Sequence, residues 1–393
     1  MSTSSALSWD LPGFEALRGA GLRSLREATI RTILRRKDRS LPVEGLGERA
    51  YTDPRVHAFF YLDPPPYSLD QALVGHLVEA ARPKNVEVVA DEYGAVHLPG
   101  AGAFLGCQPH EAYTLSWRGG WELSCRGATF CAPDFVRGST IELDRFGDPG
   151  CARVLTDDDP SQELGGVAVL ERHRSVLVRS LQRMFEMDDG YREELHRDCR
   201  LIRVYRSPTL YSCASQSAYG AAFLQCEDDA SEVFFVGDLA HQIGHVTFYG
   251  VSEDRRRCFA IPPLTPLSTI TANKADTRSL FDGLHGNFTI ARMAGVYDAM
   301  YRGLDDSHSV GYCGELVGRF ADVMCRFRRG LESVNNPRFF TSEVWEIHCA
   351  LKRLYESLWE TYQGVLAGAS LRGQGYVFSW SIYREVNGLH HEG

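Results

Sequence analysis

Asp238-Leu-Ala-His-Gln-Ile-Gly-His245 is the stretch on which the reading of this chain turns. It sits inside Ser231 to Tyr249, whose apolar residues recur at helical spacing. On a helix, histidines at i and i+4 lie one above the other on a single face, so His241 and His245 can reach one metal ion. Asp238 and Phe248 fall on that face too. The helix reading fixes the character of the C-terminal half, and the rest of the chain is read outward from it.

Downstream, Thr277 to Tyr301, Val310 to Arg328 and Ser342 to Leu366 carry the same helical pattern. Upstream, Val169 to Met187 is helical, and Leu201 to Tyr205 and Ala221 to Gln225 are two strand-like interruptions. Further back the pattern changes. Val86-Glu-Val-Val-Ala, Ala95-Val-His-Leu-Pro, Tyr113-Thr-Leu-Ser-Trp, Trp121-Glu-Leu-Ser-Cys and Ser139-Thr-Ile-Glu-Leu are short and β-rich. Turn signals such as Glu92-Tyr-Gly and Arg118-Gly-Gly separate them. They predict one small antiparallel sheet over Val86 to Asp144, ended by the acidic turn Asp157 to Pro160. Before it, Leu11 to Lys37 predicts one or two amphipathic helices. Ser68 to Ala81 predicts another, with Ser68 as N-cap and Gln71 three residues on. The expected fold is therefore α+β and predominantly α-helical, with a small antiparallel β region in the N-terminal half. The expected segments are 1–84 (helical), 85–160 (β) and 161–393 (helical, metal-binding).

With 393 residues the chain can bury a substantial core. A net charge of -9 argues against a general nucleic-acid binder, which needs a basic surface. Arg255-Arg256-Arg257 and Arg326 to Arg329 are local clusters, read as solvated faces or anion contacts rather than a nucleic-acid track. Met1 to Trp9 lacks the basic-then-apolar pattern of a secretory signal, and no run approaches the roughly 20 apolar residues of a membrane helix. Eleven cysteines, scattered and without a Cys-x-x-Cys pair, fit reduced thiols in a cytoplasmic protein rather than a disulfide framework. Gly100-Ala-Gly-Ala follows a strand but opens no helix, so it reads as a turn and not a phosphate loop.

The metal-binding motif H-E-x-x-H of zinc peptidases uses its glutamate as general base toward water. Here that position is Gln242, and an amide cannot take the proton. A zinc-dependent hydrolase would need a replacement base such as Asp238 or Asp282. Phe281-Asp-Gly-Leu-His285 puts a third histidine near the start of the next long helix, just after Asp276-Thr-Arg278. An arginine there suits a bidentate clamp on a carboxylate. Asp276 and Asp282 are alternatives to His285 as a third ligand. The loop Ser212 to Tyr219 offers Ser215, Gln216 and Tyr219 as substrate contacts, or is an ordinary polar turn. His308, His348 and His390-His391 read as incidental. Trp345, Leu351 and Leu358 read as core.

In this order the motifs resemble the HExxH-type peptide β-hydroxylases, 2-oxoglutarate-dependent iron enzymes of ribosomal-peptide maturation. The likeness covers about Val86 to Met300. It rests on Val96-His-Leu-Pro-Gly-Ala-Gly, Leu155-Thr-Asp-Asp-Asp-Pro, Asp238-Leu-Ala-His-Gln-Ile-Gly-His, Ala275-Asp-Thr-Arg-Ser and Gly283-Leu-His-Gly-Asn-Phe. The resemblance implies His241, His245 and His285 as iron(II) ligands and Arg278 as the clamp for 2-oxoglutarate. It implies a substrate that is an amino acid in a peptide, on a carrier protein or free, within a natural-product pathway. Two positions depart from the family pattern. Gln242 replaces the glutamate, and Thr277 the proline of the D-P-R stretch; the residues before Asp276 also differ from relatives. A divergent relative that binds metal without using 2-oxoglutarate, or without catalysis, is the alternative. With its ligand pair on a helix, the chain is not expected to be a double-stranded β-helix.

Overall fold

The computed structural model describes residues 13–36, 39–157, 159–162 and 165–389. The opening Met1 to Trp9, Asp158 of the acidic turn and His390-His391 lie outside them. Of the chain, 54% is helical and 12% strand, and no closed barrel forms among the described residues. The fold is α+β and predominantly helical.

Local sequence signals set most element boundaries. The N-terminal pattern becomes one helix, α1 (Phe14–Arg35). Next, α2 (Pro54–Tyr61) starts where Asp53 accepts the Arg55 N–H and proline occupies the first turn. Ser68 caps α3 (Leu69–Val74) through the Gln71 N–H. That helix stops at Gly75 rather than running on to Ala81. At Gly75 the chain presses against the Pro99 turn, so closely that a Cβ would stand 2.2 Å from the Pro99 carbonyl oxygen.

The β-rich stretch holds β1 (Val86–Val89), β2 (Ala95–Leu98), β3 (Gly102–Leu105), β4 (Ala112–Trp117), β5 (Trp121–Leu123), β6 (Thr129–Cys131), β7 (Asp134–Phe135) and β8 (Glu142–Leu143). It does not form the single antiparallel sheet expected. Two three-stranded antiparallel sheets form, ordered β1-β4-β5 and β2-β3-β6. The β2–β3 hairpin turns through Gly100, at φ +77°, a conformation that favours glycine. After α4 (Pro149–Thr156), α5 (Gly166–Met187) and α6 (Asp189–Asp198) come β9 (Leu201–Tyr205) and β10 (Ala221–Gln225). These two recruit β7 and β8 into a third sheet, ordered β10-β9-β8-β7. It is parallel at both β9 pairings and antiparallel at β7–β8. Helices follow: α7 (Glu232–Val251), α8 (Leu267–Ile270), α9 (Leu280–Arg302), α10 (Val310–Ser333), α11 (Ser342–Leu366) and α12 (Trp380–Val386).

The chain packs as two compact units, each gathered from separated segments. One comprises Leu22–Ser175 and Leu195–Asp229. Its core includes Val56, Phe59, Leu73, Val88, Leu98 and Phe104. Buried charges beside it are paired: Arg55 is hydrogen-bonded to both Asp53 and Glu142, and Arg203 to Asp144. The other unit comprises the described residues of Met1–Gly21, Val176–Glu194 and Ala230–Gly393. There α7, α9, α10 and α11 pack together around Phe235, Phe288, Tyr297, Phe320 and Phe327, all fully buried.

Candidate metal centre

The centre is built on α7 and α9. Ser231 caps α7 by accepting the Phe234 N–H. Ser279 and Asp282 form a reciprocal capping box at the start of α9. Small residues let the two helices approach closely. A Cβ on Gly237 would fall 1.8 Å from the Tyr297 hydroxyl, and one on Gly244 would lie 3.4 Å from Thr289 Cα. This approach brings His285 of α9 against the histidine pair of α7.

The three imidazoles form a chain. His241 Nε2 and His245 Nε2 stand 3.1 Å apart, and His245 Nδ1 meets His285 Nε2 at 2.6 Å. His285 is buried in a wall of rings. Phe248 stacks on it at 4.8 Å between centroids and 16° between planes, and Tyr249 and Phe281 lie 4.9 and 5.3 Å away. Burial sets the charge state of all three. It pushes His241 down to about 4, helped by the positive Arg326. It pushes His285 down to about 3, with His241 and Arg255 adding to the shift. His245 is driven well below its ordinary value by burial and then by its two histidine neighbours. At neutral pH the centre is a set of neutral imidazoles, the form in which histidine binds metals.

The distances test how a metal would fit. Metal–nitrogen bonds of about 2.1 Å at nearly a right angle place two ligand nitrogens about 3 Å apart, and the Nε2 pair of His241 and His245 has that separation. His241 Nδ1 is buried with no partner among the described residues, so the contact that orients that ring runs through its Nε2. His285 is placed differently from the ligand expected of it. It meets the opposite nitrogen of His245, the place of a group that orients a ligand ring. Among the described residues, no three His, Cys, Asp or Glu side chains converge as a metal-holding group. The pair fits two ligand positions, with His285 behind it.

Gln242 is buried, and its Nε2 donates to Asp238 Oδ1 at 3.0 Å. The carboxylates proposed as alternative ligands are both engaged. Asp282 accepts the Ser279 hydroxyl at 2.6 Å within the capping box. Asp276 takes Arg278 in a two-pronged pair, Nε to Oδ1 at 2.9 Å and Nη2 to Oδ2 at 2.7 Å. Arg278 thus already holds a carboxylate in the geometry expected for an oxo acid. Its guanidinium holds Asp276 below the ordinary carboxyl range.

No family model matches the chain, and no curated protein matches it.

Ser215, Gln216 and Tyr219 belong to the other unit. Ser215 accepts the Ser217 N–H as cap of a short 3-10 turn, Gln216 is exposed, and Tyr219 is buried with its ring 5.8 Å from His57. His348, read as incidental, is buried between Phe340 and Trp345, and neither ring nitrogen has a partner among the described residues. Sequence reasoning missed Tyr249, Phe281 and Arg255 around the histidines. Tyr249 follows His245, and Phe281 precedes His285, by four residues, the helical same-face spacing that carried the histidines themselves. Arg255 has no such signal.

Proposed function

We propose that this protein is a non-haem iron(II)- and 2-oxoglutarate-dependent oxygenase that oxidises an amino-acid side chain in a peptide, on a carrier protein or free. The observation that carries this reading is the partly buried Nε2 pair of His241 and His245, 3.1 Å apart. His241 and His245 would hold iron(II), which with so few protein ligands would leave room for a chelating 2-oxo acid and O2 and would supply oxidising chemistry toward an unactivated carbon. His285 fixes the tautomer and tilt of His245 through its 2.6 Å contact. Phe248, Tyr249 and Phe281 shield that side of the cluster from water. Gln242 hydrogen-bonds Asp238 and offers no base toward water, which weighs against a zinc hydrolase.

The closed Arg278–Asp276 pair favours one second reading: a relative that uses iron without 2-oxoglutarate. Purified protein with iron(II), ascorbate, 2-oxoglutarate and a panel of amino acids and peptides separates the two. Succinate formation is the expected result. Oxygen uptake that ignores 2-oxoglutarate would replace the first reading by the second. Eleven cysteines without a disulfide among them support a cytoplasmic site of action. No helix among the described residues is long and apolar enough to cross a membrane.

A further inference from the structure

In the β-rich unit the two three-stranded sheets each end one strand on a cysteine. The β4–β5 pairing sets Leu115 opposite Leu123. Two more hydrogen bonds carry it a step further: Ser124 N–H to the Thr114 carbonyl at 2.9 Å, and Thr114 N–H to the Ser124 hydroxyl at 2.8 Å. Cys125 therefore stands opposite Tyr113, and side chains opposite each other in an antiparallel pair share a face. That face is the inner one, because Leu115, Tyr113, Leu123 and Cys125 lie in or against the core of this unit. Cys107 is buried in the same core, two residues past the end of β3 in the other sheet. The two chain segments touch. The Tyr113 hydroxyl accepts the Gln108 N–H at 2.9 Å, and a Cβ on Gly106 would stand 3.6 Å from the Gly127 carbonyl oxygen. At this meeting point the Cys107 and Cys125 thiols hydrogen-bond each other, and the Tyr113 hydroxyl hydrogen-bonds Cys125. Neither cysteine is in a disulfide.

The two thiols are not equivalent. Cys125 is half-buried, whereas Cys107 is buried. Burial, then the contact with Cys125, pushes the Cys107 thiol up to about 11, so it holds its proton. Burial also pushes up Cys151, Cys199 and Cys258, but a carboxylate rather than a second sulfur stands beside each. We propose that Cys107 and Cys125 are a reversible dithiol–disulfide pair, oxidised by hydrogen peroxide at Cys125 first, whose bond ties sheet β2-β3-β6 to sheet β1-β4-β5. The more accessible Cys125 sulfur attacks one peroxide oxygen; the O–O bond breaks, a sulfenic acid forms and one water leaves. The Cys107 sulfur then attacks the Cys125 sulfur; the S–O bond breaks, and the hydroxide leaves with the Cys107 proton as a second water. Two thiols thus give up two electrons and two protons, and one peroxide becomes two waters. A small thiol reverses the bond by exchange, as suits a chain whose cysteines are otherwise reduced. The pair is independent of how the histidine centre is read.

Non-reducing tryptic mapping of the dilute full chain, first reduced and then treated with hydrogen peroxide in native buffer, tests the proposal. Wild type should lose two hydrogens and yield a crosslinked pair of peptides carrying Cys107 and Cys125, and dithiothreitol should restore the separate peptides. With dimedone present, Cys107→Ser should carry the sulfenic-acid adduct at Cys125, and Cys125→Ser should carry none at Cys107. Oxidation should shift the urea midpoint of wild type upward, through the closed loop in its unfolded chain, and leave the midpoints of both variants in place. No crosslink in wild type, or a crosslink of either cysteine to a different one, overturns the proposal whatever the variants do. An adduct at Cys107 in Cys125→Ser, or an unshifted wild-type midpoint once the crosslink has formed, overturns it as well.

Discussion

Replacing His285 by Phe separates a residue that orients a ligand from one that is a ligand. The side chain is buried, and it stacks on Phe248 at 4.8 Å and 16°. Phenylalanine keeps most of that volume and stacking but removes both ring nitrogens, among them the Nε2 that meets His245 Nδ1 at 2.6 Å. Two costs follow. In the metal-free protein, His245 Nδ1 is left buried without a partner, which should lower stability by about 1–3 kcal/mol. In the metal-bound protein, a lost orienting partner should weaken affinity about 10–100-fold, or about 1.4–2.7 kcal/mol. Co(II) titration followed by absorption reads the second cost, and urea unfolding of the metal-free protein reads the first. Affinity within about threefold of wild type would show that His285 is not coupled to the metal. Affinity lost as completely as in His241→Phe would make it a ligand, and the chain-like arrangement would be wrong in the bound protein.

Other parts of the same unit give independent checks. Arg292 is buried and pairs with Glu194 at 2.6 Å. Arg292→Met should cost about 3–5 kcal/mol in urea unfolding, because it strands the Glu194 charge, and Arg292→Met/Glu194→Met should cost much less. Equal losses in the two would refute the pairing. Gln242→Glu sets a carboxylate where the Gln242 amide now donates to Asp238. It should destabilise the metal-free protein at pH 8 by about 1–3 kcal/mol and recover near pH 5, where the two acids share a proton; a pH-independent effect would count against that contact. Burial, then the nearby Lys352 charge, holds His348 down at about 4. In the unfolded chain a histidine titrates near 6.5. Between those values the unfolded state binds the extra proton, so the stability this residue contributes is complete above about pH 6.5 and is lost as pH falls toward 4. His348→Phe keeps the stacking on Phe340 and Trp345, and should flatten the pH dependence of unfolding over that window. An unchanged slope would mean that His348 is charged or solvated in the folded state.

What the sequence made legible was periodic or local. The 3.6-residue pattern gave α11 to the residue, α7 to within two residues at either end and the start of α10, though α10 runs on five residues past the expected Arg328 to Ser333; the Ser68 cap marked where α3 begins. Non-local features were not legible. Nothing in Gly102-Ala-Phe-Leu or Thr129-Phe-Cys announces a strand; each becomes one by pairing with a neighbour, and Glu142-Leu143 joins β9 across more than fifty residues. The Asp148-Pro149 signal that starts α4 was present in the sequence and went unread. At the site, spacing placed His241 and His245 on one face, and motif order brought in His285. Which nitrogen of His245 each neighbour meets is set by the approach of α7 and α9, and that depends on contacts such as Gly237 with Tyr297. The engagement of Arg278 by Asp276 two residues earlier was sequence-local, yet a carboxylate clamp and a self-paired arginine are written with the same residues.

Anaerobic iron(II) titration followed by 2-oxoglutarate, watched for the visible charge-transfer band of an iron-bound oxo acid, tests the assignment of the centre most directly. Wild type should bind one equivalent of iron and develop the band, and His241→Phe and His245→Phe should each abolish both. Iron binding no tighter in wild type than in either single variant would contradict the assignment of His241 and His245 as the ligands.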